Sequence, residues 1–361
     1  MMIEGKKKTV PLIFKITLLT FLVSLALLFA TEISIPFADF MNSTVCAYFR
    51  GFMGWISDFI PFSVFEMLVI LIPLFVFLIV ILAVRAFRSE NGLRFILMLL
   101  SLVLIVGSEY ILALSVSYNT TPTYKKMGIE IVDVTEENLK DTLIILRDEV
   151  NALTSKVEFY DGQSRGGYTT RELGDKITEA FATLNEVAPI LNEFTTRPKN
   201  IYFGEAMSYL SLLGIYTFYT GEANVNSLYP DYDKVFCSAH EMSHQRGVLR
   251  EDEANFIAYV ALSSSDDPYL RYSAALSMLE YIGSALYRTN KDAYYEVMSE
   301  LDDSVWLDIE ASNEITRKYS GTILSEISNF FNDLFLKSNG TPGVVSYGMV
   351  VRIAVSYITE W

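Results

Sequence analysis

Three apolar runs near the N-terminus restrict this chain more than any other feature. They cover about residues 10–30, 62–84 and 95–116. A chain in hydrocarbon must satisfy its own backbone hydrogen bonds, so each run is predicted to be a helix. At 1.5 Å per residue, about 20 residues match a ~30 Å hydrocarbon layer. Lys6, Lys7 and Lys8 precede the first run, and Arg85, Arg88 and Arg94 lie between the second and third. That charge placement predicts a multi-pass anchor over residues 1–116, a cytoplasmic N-terminus, and an extracytoplasmic domain over 117–361. No small-residue cleavage site follows the first run, so it reads as a retained anchor in a lipid membrane. Residues 47–60, with Tyr48, Phe49, Phe52, Met53 and Trp55, suggest an amphipathic segment at the interface. Glu109 is an acid inside the third run and stands out there.

The remaining residues are of another kind. The net charge of −15 is uneven: eight Lys/Arg face seven Asp/Glu up to residue 116, and twenty face thirty-six beyond it. An acidic domain of this kind excludes nucleic acid as a partner. Two cysteines, Cys46 and Cys237, cannot build a disulfide framework, though one bridge between them is conceivable. Helices are predicted from Glu136 to Lys156, capped by Thr135, and from the Thr169/Glu172 capping box to about Phe194, kinked at Pro189. Residues 162–167 read as a loop. Further helices are expected over 270–287, 291–301, 315–336 and 344–358, the last two separated by a Gly340-Thr341-Pro342-Gly343 turn. Strands are expected at residues 201–203 and 215–219, and an edge strand at 221–226, where an extended peptide can add by β-augmentation. The expected fold class is therefore α+β, mainly α, with a small antiparallel sheet.

Both histidines of the chain fall in His240-Glu241-Met242-Ser243-His244. Positions i and i+4 share a helix face, so the two imidazoles can reach one ion. Zinc, Zn2+, is the metal this spacing suits, and Glu241 is placed to take a proton as general base. A helix starting at Asp231 or Asp233 and stopped by Gly247 would hold the pair rigidly. A catalytic zinc takes three protein ligands and keeps one position open. With no third histidine, the remaining ligand should be a carboxylate. Glu251 is chosen because it shares a face with Ala254, Asn255 and Ala258, small enough for close helix packing. Glu253 points about 200° away and is the alternative. Asn255, one turn on from Glu251, is placed to orient a ligand. Tyr259, Arg271, Tyr272 and Tyr347 are candidate donors to an oxyanion.

The run from His240 to Gly247, followed by Glu251-Asp252-Glu253-Ala254-Asn255-Phe256, resembles a bacterial family of uncharacterised membrane proteins with a membrane anchor and a zincin-like domain. The likeness extends over the chain, including Glu222-Ala223-Asn224-Val225-Asn226 and Ser346-Tyr347-Gly348. The ExxAN part is similar to gluzincin peptidases, among them those that cleave phage-type repressors, and to the ExxAD of membrane prenyl-protein proteases. The resemblance implies that the first Glu of that pattern, Glu251, binds zinc. It implies a membrane-anchored zinc metallopeptidase acting on a peptide or protein. A sensor or binding protein with a structural zinc site, and a hydrolase of non-peptide amides, are the rival expectations.

Overall fold

The computed structural model describes residues 10–339 and 347–360, which are mostly helical with two small sheets. Among the described residues two helices are long and apolar enough to cross a membrane: α1 (Leu12–Ile33) and, after four shorter helices, α6 (Gly92–Tyr118). Lys6, Lys7 and Lys8 and the expected 340–343 turn lie outside the described residues. The second apolar run is not the continuous span expected. It forms α4 (Val64–Ile70) and α5 (Ile72–Arg88), bent by 56°. Pro73 explains the break, since it has no N–H to bond the Val69 carbonyl and its ring crowds the preceding turn. So two helices, not three, are continuous candidates. α5 buries no residue, and its Val, Leu, Ile and Phe side chains face outward.

α1 and α6 run side by side in one direction. Phe21 packs on Gly107, and Thr31 Oγ1 accepts from Asn119 Nδ2 at 3.1 Å. Near its end α6 contains a π turn over Ile111–Ser115. Such a turn loosens the ordinary helical bonding. There the Ala113 carbonyl accepts from Arg50, at 3.4 Å.

The segment between α1 and α4 is not a simple outer loop. It folds as α2 (Ile35–Ser43) and α3 (Val45–Asp58). α3 is amphipathic as expected, with Tyr48, Phe52 and Trp55 exposed. Its other face buries Arg50 completely. That guanidinium donates to Asn42 O (2.9 Å), Asn42 Oδ1 (2.7 Å) and Ser117 Oγ (3.2 Å). Asn42 in turn donates to the Gly247 carbonyl at 3.2 Å. The Glu222 carboxylate accepts the Val64 and Phe65 N–H groups at 2.9 Å each, a favourable charge at the start of α4. The buried Lys199 ammonium donates to the Ser57 and Ile60 carbonyls. Residues 42–65 are thus built into the fold of residues 117–361.

The main core lies among helices of that C-terminal region. α7 (Glu136–Thr154) is closed by a capping box between Thr135 and Asn138. α8 (Thr170–Val187) has the expected Thr169/Glu172 box. It stops short of residue 194, however. Ala188 precedes Pro189 and is extended (φ −140°, ψ 96°), so the proline ends the helix rather than kinking it. After a short α9 (Gly204–Tyr209) come α10 (Asp231–Gln245), α11 (Glu251–Ser263) and α12 (Pro268–Thr289). These three pack closely, and fully buried alanines at 239, 254, 258, 274 and 275 are what allow it. Phe256, Ile257 and Leu262 are also fully buried, each worth about 1.5–3 kcal/mol. α13 (Lys291–Met298), α14 (Asp303–Tyr319), α15 (Ile323–Ser338) and α16 (Tyr347–Glu360) complete the chain. The single helix expected over 315–336 is divided, because Gly321 takes φ +70°.

The sheets also depart from expectation. Residues 158–165 form a hairpin, β1 (Glu158–Tyr160) with β2 (Gln163–Arg165), whose second strand falls within the loop expected over 162–167. Its turn is Asp161-Gly162, both at positive φ, the geometry that matches strand twist. The second sheet is mixed, not antiparallel. β3 (Lys199–Ile201) pairs parallel with β5 (Glu222–Asn226), and β4 (Gly214–Thr217) pairs antiparallel with it. β5 is therefore central, and all five of its residues are buried. The two edges of the sheet are β3 and β4.

Candidate metal centre

α10 carries both histidines on the face that meets α11. Asp231 and Asp233 in its first turn suit the helix dipole, and Gly247 (φ +94°) turns the chain sharply toward α11. That turn places the Val248 carbonyl 2.8 Å from His244 Nδ1. The contact fixes the tautomer: Nδ1–H donates to the carbonyl, and the Nε2 lone pair is left for a ligand role. His240 and His244 rings meet edge to face at 4.6 Å.

Glu251 opens α11 and reaches both rings. Its oxygens lie 3.3 Å from His240 Nε2 and 3.5 Å from His244 Nε2. A direct charge-assisted hydrogen bond would be about 2.7–2.9 Å. Donors held 2.0–2.2 Å from one ion at tetrahedral angles are about 3.3–3.6 Å apart. The observed separations match the second case. Two imidazole nitrogens and one carboxylate oxygen also form a donor set suited to zinc. Among the described residues these three are the one group of His, Cys, Asp or Glu with this convergence. Glu253 is buried and spent elsewhere, in an ion pair with half-buried Arg250 at 3.2 Å. Cys237 and Cys46 are both buried free thiols, so no bridge joins them.

Electrostatics in the cluster are strongly coupled. Burial alone would raise the Glu251 carboxyl, yet the two imidazoles hold it well below the usual carboxylate range. Burial opposes a charge on His244, but Glu251 beside it pushes its pKa up to about 9. A metal ion would take the place of that proton. Glu241 behaves differently. Burial raises its carboxyl by more than the neighbouring imidazoles lower it. The Tyr216 backbone amide donates to this carboxylate, while Oε2 is buried with no partner. Gly214 is needed here, since a Cβ would meet Glu241 Oε1 at 2.6 Å.

The cluster opens into a cavity of about 940 Å3. Edge strand β4 forms one wall. Tyr110, Leu114 and Tyr118 at the end of α6 form a second, and Leu324, Ile327 and Phe331 of α15 a third. Asn255 lines it beside Glu251. Three of the four candidate oxyanion donors are engaged away from the cluster. Tyr259 is core, Arg271 pairs with Glu149 at 3.2 Å, and the Tyr272 hydroxyl donates to Asp308 at 2.8 Å. None of these three lines the cavity. The side chain of Tyr347 lies outside the described residues. Glu109 is half-buried in α6 and is also absent from the lining. Two lining acids were not anticipated, Asp233 and Glu280. Asp233 was signalled in part, because 233, 237, 240 and 244 trace one face of α10.

Fold and site together define a class: a mostly helical protein with apolar helices long enough to cross a membrane and a two-histidine, one-glutamate cluster at the head of a cavity. Within that class the chain belongs to the family described as protein of unknown function DUF3810, whose model matches residues 42–355. No curated protein and no solved structure matches it.

Proposed function

We propose that this protein is a membrane-anchored zinc metallopeptidase. The observation that carries the reading is the convergence of His240 Nε2, His244 Nε2 and Glu251 at 3.3–3.5 Å, with Glu241 on the next position of the same helix. His240, His244 and Glu251 would hold the ion and leave one coordination position open, as a catalytic site requires. Zinc bound there supplies a Lewis acid that brings a water's pKa toward ~7. Glu241 takes the proton from the attacking water and hands it to the leaving amine. Its raised pKa suits a group that must hold that proton between the two steps. The Tyr216 amide keeps the carboxylate aimed at the cavity. β4 is one of the two edge strands of its sheet and the one that lines the cavity, so an extended peptide can pair with its outer side beyond the Tyr216 amide.

Crossing of the membrane belongs to the same reading. α4 starts against Glu222, and α5 ends in the short turn leading into α6. The bent pair therefore has its two ends at opposite ends of α6, and we assign it the return crossing. Three traverses place residues 119 onward on the side opposite the N-terminus, and the arginines at 85, 88 and 94 favour that side being extracytoplasmic.

The test uses full-length protein in detergent. Glu241→Gln is expected to keep about one zinc per chain and to lose peptide hydrolysis by about 10²–10⁴-fold. Equal turnover by the variant would remove Glu241 from the mechanism. Wild-type protein that binds no zinc would remove the reading itself.

A further inference from the structure

The cavity that holds the histidine cluster contains a second pair of functional-looking groups. Asp233 of α10 and Glu280 of α12 both line it. Asp233 exposes only 9 % of its surface, and its Oδ2 is buried with no hydrogen-bond partner. Ser312 donates to the Asp233 carboxyl, and the Tyr232 hydroxyl donates to Glu280 Oε2 at 3.3 Å. Neither acid has a basic side chain within ion-pair distance among the described residues; Lys234, the nearest on the same helix, is committed to Asp231 at 2.7 Å. Two carboxyls facing one cavity with no counter-charge are costly when ionised. Burial pushes Asp233 up to about 7, and burial with the charge of Asp233 pushes Glu280 up to about 8. The pair thus holds a proton near neutrality that an arriving cation can displace.

We propose that Asp233 and Glu280 form a subsite for a cationic group of the substrate, an ammonium or a guanidinium. The inference rests on reading this cavity as the hydrolytic site. Two carboxylates without a third donor make a poor metal site, and among the described residues no metal-type group includes them. An ammonium needs only the acceptors that the pair offers. The spacing also fits. Asp233 lies seven residues from His240, about 10 Å along the helix at 1.5 Å per residue. An extended lysine side chain of about 6 Å, standing off a peptide backbone that itself lies between the cluster and these acids, covers most of that distance. A peptide held along β4 with its scissile bond at the cluster would carry a lysine or arginine, one residue away, to these acids.

Two measurements on full-length, zinc-loaded protein test this. The first compares hydrolysis of matched peptides that carry lysine or norleucine beside the scissile bond. Wild type is expected to prefer lysine, and Asp233→Asn or Glu280→Gln to lower the lysine-to-norleucine ratio of kcat/KM by about 30-fold or more. The second measures binding of Nα-acetyl-lysine methylamide against the norleucine analogue to the Glu241→Gln protein, with and without Asp233→Asn. Binding of the lysine probe alone, lost with Asp233→Asn, supports the subsite. Zinc content and thermal unfolding identify a misfolded variant, in which case Glu280→Gln replaces Asp233→Asn. Peptide hydrolysis with no charge preference, or a ratio unmoved by both substitutions, overturns the subsite and leaves the peptidase standing. Lysine-probe binding that depends on Asp233, with no peptide cleaved by wild type, keeps the subsite and overturns the peptidase.

Discussion

Replacing Gly247 with alanine strikes the joint between the anchor and the histidine helix. Gly247 has φ +94°, and a Cβ there would lie 2.5 Å from Arg50 Nη2 and 2.8 Å from Asn42 Oδ1. The backbone conformation alone costs an L-residue about 1–2 kcal/mol. Arg50 could normally swing away, but its guanidinium is fully buried and tied to both oxygens of Asn42. Displacing it weakens hydrogen bonds to a charged group, worth about 1.5–3 kcal/mol. The total is about 3 kcal/mol or more. With about 2.1 cal/mol/K of unfolding entropy per residue, that corresponds to a Tm lower by about 4 °C. The assay is thermal unfolding of the detergent-solubilised chain, run as a double-mutant cycle with Arg50→Met. In the Arg50→Met background Gly247→Ala should cost only its backbone share. Because the same turn presents the Val248 carbonyl to His244, zinc affinity should also fall, by about tenfold. A Tm within about 1 °C of wild type, or costs that simply add in the cycle, would refute the close approach of Arg50 to Gly247.

Other expectations follow from the same geometry. Glu251→Ala should strip zinc from purified protein, whereas Glu253→Ala should leave zinc content near wild type and lower thermal stability by unpairing half-buried Arg250; the reverse pattern would move the third ligand. Gly214→Ala should lower hydrolysis at least tenfold while zinc content holds, because the new methyl displaces Glu241; unchanged kcat would contradict the contact. The pKa values of Asp233 and Glu280 are raised in the folded state above ordinary carboxylates near 4, so the folded chain holds protons that the unfolded chain releases. Their contribution to stability is full below about pH 4 and is lost as the pH rises through about 7 to 8. The double substitution Asp233→Asn with Glu280→Gln should flatten the fall of Tm across that window, and an unaltered pH profile would rule out the raised values.

What could be read from the sequence was what depends on short spacing. His240 and His244 are one helical turn apart, and Glu251 follows after a glycine turn, so their juxtaposition rests on local geometry. The capping box of Thr169 with Glu172 is legible for the same reason. Prolines were underweighted: Pro73 and Pro189 sit inside patterns that hydropathy alone would carry through. Asp161-Gly162 is a hairpin signal, but strands of three residues on either side are too short for alternation to show. The strand order was not legible, because whether β4 or β5 takes the edge depends on β3, some twenty residues upstream and paired in parallel. The contacts of Asn42 with Gly247 and of Glu222 with Val64 span 205 and 158 positions. No periodicity announces such pairings, so Arg50 read as an ordinary charge in an aromatic stretch.

The docking of residues 42–65 onto the C-terminal region has a consequence for biogenesis and turnover. The C-terminal region is not a cargo tethered by a leash at residues 119–126. A cut in that connector would separate Glu222, Lys199 and Gly247 from partners supplied upstream, so shedding cannot release an intact unit. The turn at Gly247 and the strand that carries Glu222 therefore finish folding only once residues 42–65 are in place.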